Sequence, residues 1–227
     1  MRLAGTVLCT LLVLTSASHA GIVFSDDFNR ANGAVGNGWT SYGGGATIVN
    51  DELQTLGEPA YGGGVYRTLS VTFPLTFSFD FSTADPSVGG WFIAFNAIST
   101  LVPGPQPGQV SYFQFEGSGG IQTVTPTGFE SSPDLPENFG AAFGQVYGQV
   151  NADLSAVITV TYADGTQVSV TFGPQASGPI GSMLVLGNSD ASGTDYFDNL
   201  QINEVPEPAT GLLLLAPLAA LVLRRRK

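Results

Sequence analysis

The feature that most limits how this chain can fold is a two-residue hydrophobic period. Leu75, Phe77, Phe79 and Phe81 alternate with Thr76, Ser78, Asp80 and Ser82, which gives an extended strand one apolar and one polar face. Trp91, Ile93, Phe95 and Ala97 alternate only weakly with Phe92, Ala94 and Asn96, as in a strand covered on both faces. Residues 110–116 read as a third strand, and short runs at 46–49, 65–69, 121–125, 183–186 and 196–202 add more. No helical stripe appears between the two ends of the chain. With 30 Gly and 14 Pro as punctuation, the expected fold is all-β, a sandwich or barrel of antiparallel strands. The proline-rich stretches 102–108 and 126–136 are expected as surface loops. The Tyr-Gly-Gly-Gly runs at 42–45 and 61–64 are expected as flexible turns.

One hairpin can be read to its register. Strands at 157–162 and 166–172 flank Ala163-Asp164-Gly165. A two-residue turn would pair Val160 with Ser169 and mix polar groups into the apolar face. A three-residue loop pairs Tyr162 with Thr166, Val160 with Val168 and Ile158 with Val170, leaving that face almost wholly apolar. A one-residue slip reverses every side chain, so the three-residue loop is the choice. Gly165 then takes the left-handed conformation of a bulge.

The chain carries 18 Asp+Glu against 7 Lys+Arg, with one His and one Cys. Their positions matter more than their number. Cys9 and His19 lie in the first twenty residues, and Lys227 ends the chain beside Arg224, Arg225 and Arg226. Residues 21–205 hold 17 carboxylates and only Arg30 and Arg67, a net charge of −15. Without imidazole, thiol or amine there is no Ser–His–Asp triad, no Cys–His pair, no zinc site of thiolate or imidazole and no P-loop lysine. A surface at this charge repels phosphate, so nucleic acid is excluded as a partner. Carboxylate chemistry remains: acid–base hydrolysis or oxygen-ligand metals.

Both ends read as targeting segments. Met1-Arg2, an apolar run at 3–14 and the small residues Ser18 and Ala20 form a secretory signal helix over residues 1–20, cut by signal peptidase between Ala20 and Gly21. At the other end, Val205-Pro206-Glu207-Pro208-Ala209 precedes an apolar run to Leu223 and then Arg224-Arg225-Arg226-Lys227. That run gives about 22 Å of helix, short of the roughly 30 Å bilayer core. The basic cluster is expected to stay cytoplasmic, so the segment suits a transient inner-membrane transmembrane helix. These three parts, over residues 205–227, resemble the PEP-CTERM sorting signal of Gram-negative bacteria. The resemblance implies recognition by an exosortase, removal of the tail and release to the cell surface or extracellular matrix. An ordinary membrane anchor is the alternative.

The intervening domain, 21–204, carries a second resemblance. Phe24-Ser25-Asp26-Asp27-Phe28-Asn29-Arg30, continuing to Gly33, Gly36, Gly38 and Trp39, is similar to the opening strand and loop of concanavalin A-like jelly rolls. Tyr196-Phe197-Asp198-Asn199-Leu200-Gln201-Ile202 is similar to their closing strand. The resemblance implies a two-sheet antiparallel β-sandwich with adjacent first and last strands, glycan binding and a structural calcium. Asp26, Asp27 and Asn29 would then meet Asp195, Asp198 and Asn199 as hard oxygen ligands. The alternative is that these acids cap turns and blunt strand edges. Trp39, Tyr42, Tyr61, Tyr66 and Tyr112 are candidates for stacking on sugar rings, against ordinary core packing. The E-x-D-x-x-E strand of glucanases with this fold is absent, and Asp80 and Glu116 stand alone in sequence.

These observations point to an exported, non-catalytic cell-surface or matrix protein that binds extracellular polysaccharide. The competing expectation is a carboxylate-dependent polysaccharide hydrolase or lyase.

Overall fold

A computed structural model describes residues 21–57, 62–84, 90–97, 112–116, 120–125, 128–131, 144–174, 181–188 and 193–205. The expected signal (1–20), the tail from Pro206 to Lys227, Tyr61 and the stretch 102–108 lie outside the described residues. Within them the chain forms β1 (Gly21–Asp26), β2 (Gly33–Ala34), β3 (Thr40–Gly43), β4 (Ala46–Val49), β5 (Glu52–Leu56), β6 (Gly63–Thr68), β7 (Leu75–Thr83) and β8 (Gly90–Ala97). There follow β9 (Tyr112–Glu116), β10 (Gly120–Thr125), β11 (Gly128–Ser131), β12 (Gly144–Val150), β13 (Ala156–Thr161), β14 (Gln167–Phe172), β15 (Met183–Asn188) and β16 (Thr194–Glu204). No helix occurs among the described residues.

The strands make two antiparallel sheets. One has nine strands in the order β14-β13-β12-β7-β16-β5-β4-β2, with β1 added beside β16. The other has seven, in the order β11-β10-β9-β8-β15-β6-β3. The first and last strands are neighbours, paired from Gly21↔Glu204 to Asp26↔Leu200.

The two-residue period decides what lies between the sheets. Leu75, Phe77, Phe79 and Phe81 face inward from β7 and are at most 3% exposed. Trp91, Ile93 and Phe95 oppose them from β8, and Trp91 stacks on Phe115 at 4.0 Å between ring centroids. The second face of β8 is also buried, with Phe92, Ala94 and Ala97 packed against Val185 and beside Tyr42, Tyr66 and Met183. The β13–β14 hairpin has the expected register, with Ile158↔Val170 and Val160↔Val168. Its closing bonds run from the Tyr162 amide to the Thr166 carbonyl and from the Gly165 amide to the Tyr162 carbonyl, with Gly165 at φ +85°.

Two loop expectations are corrected. The stretch 126–136 contains β11, which pairs with β10 from Gln122↔Ser131 to Thr125↔Gly128. A strand of four residues is too short for alternation to register. The Tyr-Gly-Gly-Gly runs are turns only in part: the Gly45 amide bonds back to the Tyr42 carbonyl to close the β3–β4 turn, but Tyr42↔Gly64 and Gly43↔Gly63 are paired strand backbone. A Cβ at Gly63 would stand 2.2 Å from the Leu56 carbonyl oxygen, and one at Gly44 would stand 2.5 Å from it. The glycines are therefore there for close backbone approach between the sheets.

Candidate functional site

The corner where β1 meets β16 gathers most of the acids singled out in the sequence. Asp26 ends β1 and is 5% exposed. One carboxylate oxygen, Oδ1, accepts from the Phe28 amide at 2.9 Å and Arg30 Nη1 at 2.9 Å. The other, Oδ2, accepts from Arg30 Nη2 at 3.0 Å, Asn37 Nδ2 at 2.9 Å and Trp39 Nε1 at 2.8 Å. Burial works against the charge, but Arg30, Trp39, the Phe28 amide and Asn37 outweigh it and hold the carboxyl below its usual range. Asp27 is exposed and caps the turn at the Asn29 amide.

Beyond Asp26 lies a set of carboxylates brought together only by the fold. Asp198 on β16 stands opposite Asp80 on β7. A bulge follows, with Asn199 at φ +51°. The Asn199 side-chain amide donates to Asp80 Oδ2 at 2.8 Å and to Asp198 Oδ2 at 3.2 Å, and Gln145 donates to Asp80 Oδ1 at 3.0 Å. Burial raises the Asp198 pKa; the Asn199 amide opposes this, and the charges of Asp80, Asp27 and Asp26 add to the rise. Burial and the charge of Asp198 raise Glu52 as well. Ser25, Asp26, Asp27, Arg30, Asn37, Asn199, Leu200 and Gln201 line an adjoining cleft of about 370 Å³.

The expected calcium set does not fit this geometry. Both oxygens of Asp26 are already taken, and the Arg30 guanidinium occupies the place a cation would need. Asp195 is not in the corner: it is buried farther along β16, opposite Thr55 and Thr83. Among the described residues, no group of three or more His, Cys, Asp or Glu is arranged to hold a metal ion.

The other arginine is also committed to packing. Arg67 lies over the Phe24 ring at 4.0 Å and the Trp39 ring at 5.5 Å, and donates to the Asn37 carbonyl at 3.2 Å. Trp39, a candidate for sugar stacking, is instead a core residue at 7% exposure. Its polar handle is spent on Asp26.

The stacking candidates that remain are on the outer face of the seven-stranded sheet. The register places Tyr42, Gly64, Gly187, Phe92, Gln114 and Gln122 in one row across β3, β6, β15, β8, β9 and β10. Tyr66, Val185 and Ala94 form the next row. The missing side chain at Gly187 leaves room for the Tyr42 hydroxyl, since a Cβ there would stand 2.3 Å from it. That hydroxyl is buried with no hydrogen-bond partner among the described residues, and burial raises its pKa. Tyr66, Gln114 and Gln122 are half-buried. Tyr112 is on β9, and its side chain lies outside the description. Sequence reasoning missed Gln114, Gln122 and the two glycines, because nothing local marks which strands become neighbours.

The sequence matches no protein-family profile and no curated protein. Solved structures do share the fold. A seed lectin of Lotus tetragonolobus is 11% identical, with a TM-score of 0.54 over 82% of this chain and 99% of its own. The exoplasmic/lumenal domain of VIP36, in a form bound to Ca2+ and Man3GlcNAc, is 9% identical, with a TM-score of 0.53 over 74% of this chain and 84% of its own. A glycosyl hydrolase family protein from Mycobacterium fortuitum is 13% identical, with a TM-score of 0.54 over 80% of this chain and 99% of its own. At such identities the likeness is one of fold: the described residues form a two-sheet antiparallel jelly-roll sandwich, the fold these structures share.

Proposed function

We propose that this is an exported surface or matrix protein that binds extracellular polysaccharide through the outer face of its seven-stranded sheet. The observation that carries the reading is the half-buried set Tyr66, Gln114 and Gln122 on that face of a lectin-like fold. Aromatic rings cover the apolar faces of sugars, and side-chain amides both donate and accept with hydroxyl groups. The net charge of −15 over residues 21–205 favours neutral glycans over anionic ones. Titration calorimetry against a neutral glucan, a galactan and an alginate tests this. Binding to a neutral polymer is expected, weakened about tenfold in Tyr66→Ala. Equal affinity of Tyr66→Ala and Gln114→Ala with the unaltered protein would sink the proposal.

Export belongs to the same reading. Signal peptidase acts after Ala20, the tail holds the chain transiently in the inner membrane, and an exosortase removes it at Val205-Pro206-Glu207-Pro208. Intact mass spectrometry of the protein from its host should show both ends missing. A mass that includes Arg224 to Lys227 would mean a permanent anchor instead.

One observation favours the rival, a polysaccharide hydrolase or lyase: Asp198, with a raised pKa, faces Asp80 across one strand pair. Against it, Asp80 is 8% exposed and held by two amides. Release of reducing ends that disappears in Asp198→Asn would establish the rival.

A further inference from the structure

The four ends of the two sheet orders are unequal. The nine-stranded sheet ends in β2, of two residues, and β14, of six; the seven-stranded sheet ends in β3 and β11, of four each. Short edge strands are one way to prevent chains pairing edge to edge, and charge, proline or a bulge are others. β14, Gln-Val-Ser-Val-Thr-Phe, has none of these devices.

The hairpin fixes which backbone groups face outward. Tyr162 and Thr166 are hydrogen-bonded opposites, so hydrogen-bonded pairs recur at Val160↔Val168, Ile158↔Val170 and Ala156↔Phe172. The N–H and C=O groups of Gln167, Ser169 and Thr171 therefore point away from β13, and all three residues are exposed.

We propose that β14 is a docking edge for a second copy of this chain, joined antiparallel across a two-fold axis at Ser169. Ser169 then faces its own copy, Gln167 faces Thr171, and Thr171 faces Gln167. Each pair exchanges both backbone bonds, about six in all. Val168 meets Val170 on the inner side, so the half-buried Val168 is covered. The arrangement is isologous and closes at two copies.

Charge selects this occupant. Residues 21–205 carry −15, yet residues 144–174, which contain β12, β13 and β14, include only Asp153 and Asp164 as charged groups. Both sit in turns outside the strands. Depletion of charge at one patch of a strongly acidic molecule is the compositional mark of an interface core. This is the part of the sheet where two acidic copies can meet without opposing carboxylates. Tyr147 and Val157, 44% and 36% exposed, lie on the same three strands.

The test is sedimentation velocity of the full chain, in density-matched detergent that disperses its apolar ends. A concentration-dependent monomer–dimer equilibrium is expected, tightening as salt screens the remaining repulsion. Ser169→Pro removes an outward N–H that β13 does not use, and should abolish the dimer. Ser169→Lys keeps the strand but sets two cations opposite each other, and should weaken dimerisation at least about tenfold. The double variant Gln167→Lys with Thr171→Glu places opposite charges across the axis and should retain the dimer, whereas Gln167→Glu with Thr171→Glu should lose it. A monomer at all concentrations up to about 1 mM, or association unaltered by Ser169→Lys, would overturn the proposal.

Discussion

At the scale of single residues, Asp26 shows how a correct observation can carry the wrong chemistry. The run Asp26-Asp27-Phe28-Asn29-Arg30 offers hard oxygens at short spacing, which suits a cation. Sequence shows that Arg30 is four residues away, but not that the turn brings its guanidinium back onto Asp26. The structure makes Asp26 the hub of β1, the following loop and Trp39. Its side chain is 1% exposed and that of Arg30 is 25% exposed. Asp26→Ala leaves a partly buried guanidinium and an indole N–H without their acceptor, so urea unfolding should show a loss of about 3 kcal/mol. Added calcium should not restore it. Asn96 was equally hidden from sequence. It sits at φ +50°, and its side-chain amide pairs with both backbone polar groups of Val71, accepting at 3.0 Å and donating at 2.9 Å.

At the scale of elements, legibility depended on whether apolar side chains marked the period. β7, β8 and the β13–β14 hairpin were legible because a one-residue slip would bury polar groups. β12 was not, because its inward positions alternate valine with glycine: Gly144, Val146, Gly148, Val150. Those glycines make room for rings from β7. A Cβ on Gly148 would stand 2.2 Å from Phe77 Cε1, so Gly148→Ala should cost about 1–3 kcal/mol by overpacking, measured by denaturant unfolding. Gly165 makes a contrasting prediction. Nothing lies within 4 Å of a Cβ there, but φ is +85°. Gly165→Val should cost about 1–2 kcal/mol through backbone strain alone, and Gly165→Asn should recover most of it.

At the scale of the whole molecule, the division of charge was legible at once, since the basic residues cluster at the ends of the chain. Which acids meet was not, because Asp80 and Asp198 are 118 residues apart in sequence and adjacent only through β7 and β16. Their grouping predicts an unusual pH profile. Asp198 and Glu52 have raised pKa values in the folded state, so their stabilising contribution is present at low pH and lost as pH rises through those values. Asp26 is lowered, so its contribution is present above its unfolded value and lost as pH falls through its folded one. The melting temperature should therefore rise as pH falls from neutral into the range where Asp198 and Glu52 take up protons, and fall again at lower pH as Asp26 is protonated. A melting temperature that shows no rise anywhere on acidification from neutral pH would contradict the grouping. The placement of β16 has one more consequence. It runs antiparallel to β1 over Asp26–Gly21 and to β7 over Leu75–Thr83, and the Val205 amide extends the ladder to the Pro74 carbonyl. A tether pulling from the C-terminal end would load both ladders lengthwise, so their bonds would resist together in shear. A strand peeled from a sheet edge yields one bond at a time, and this domain presents its hauling point on an interior strand instead.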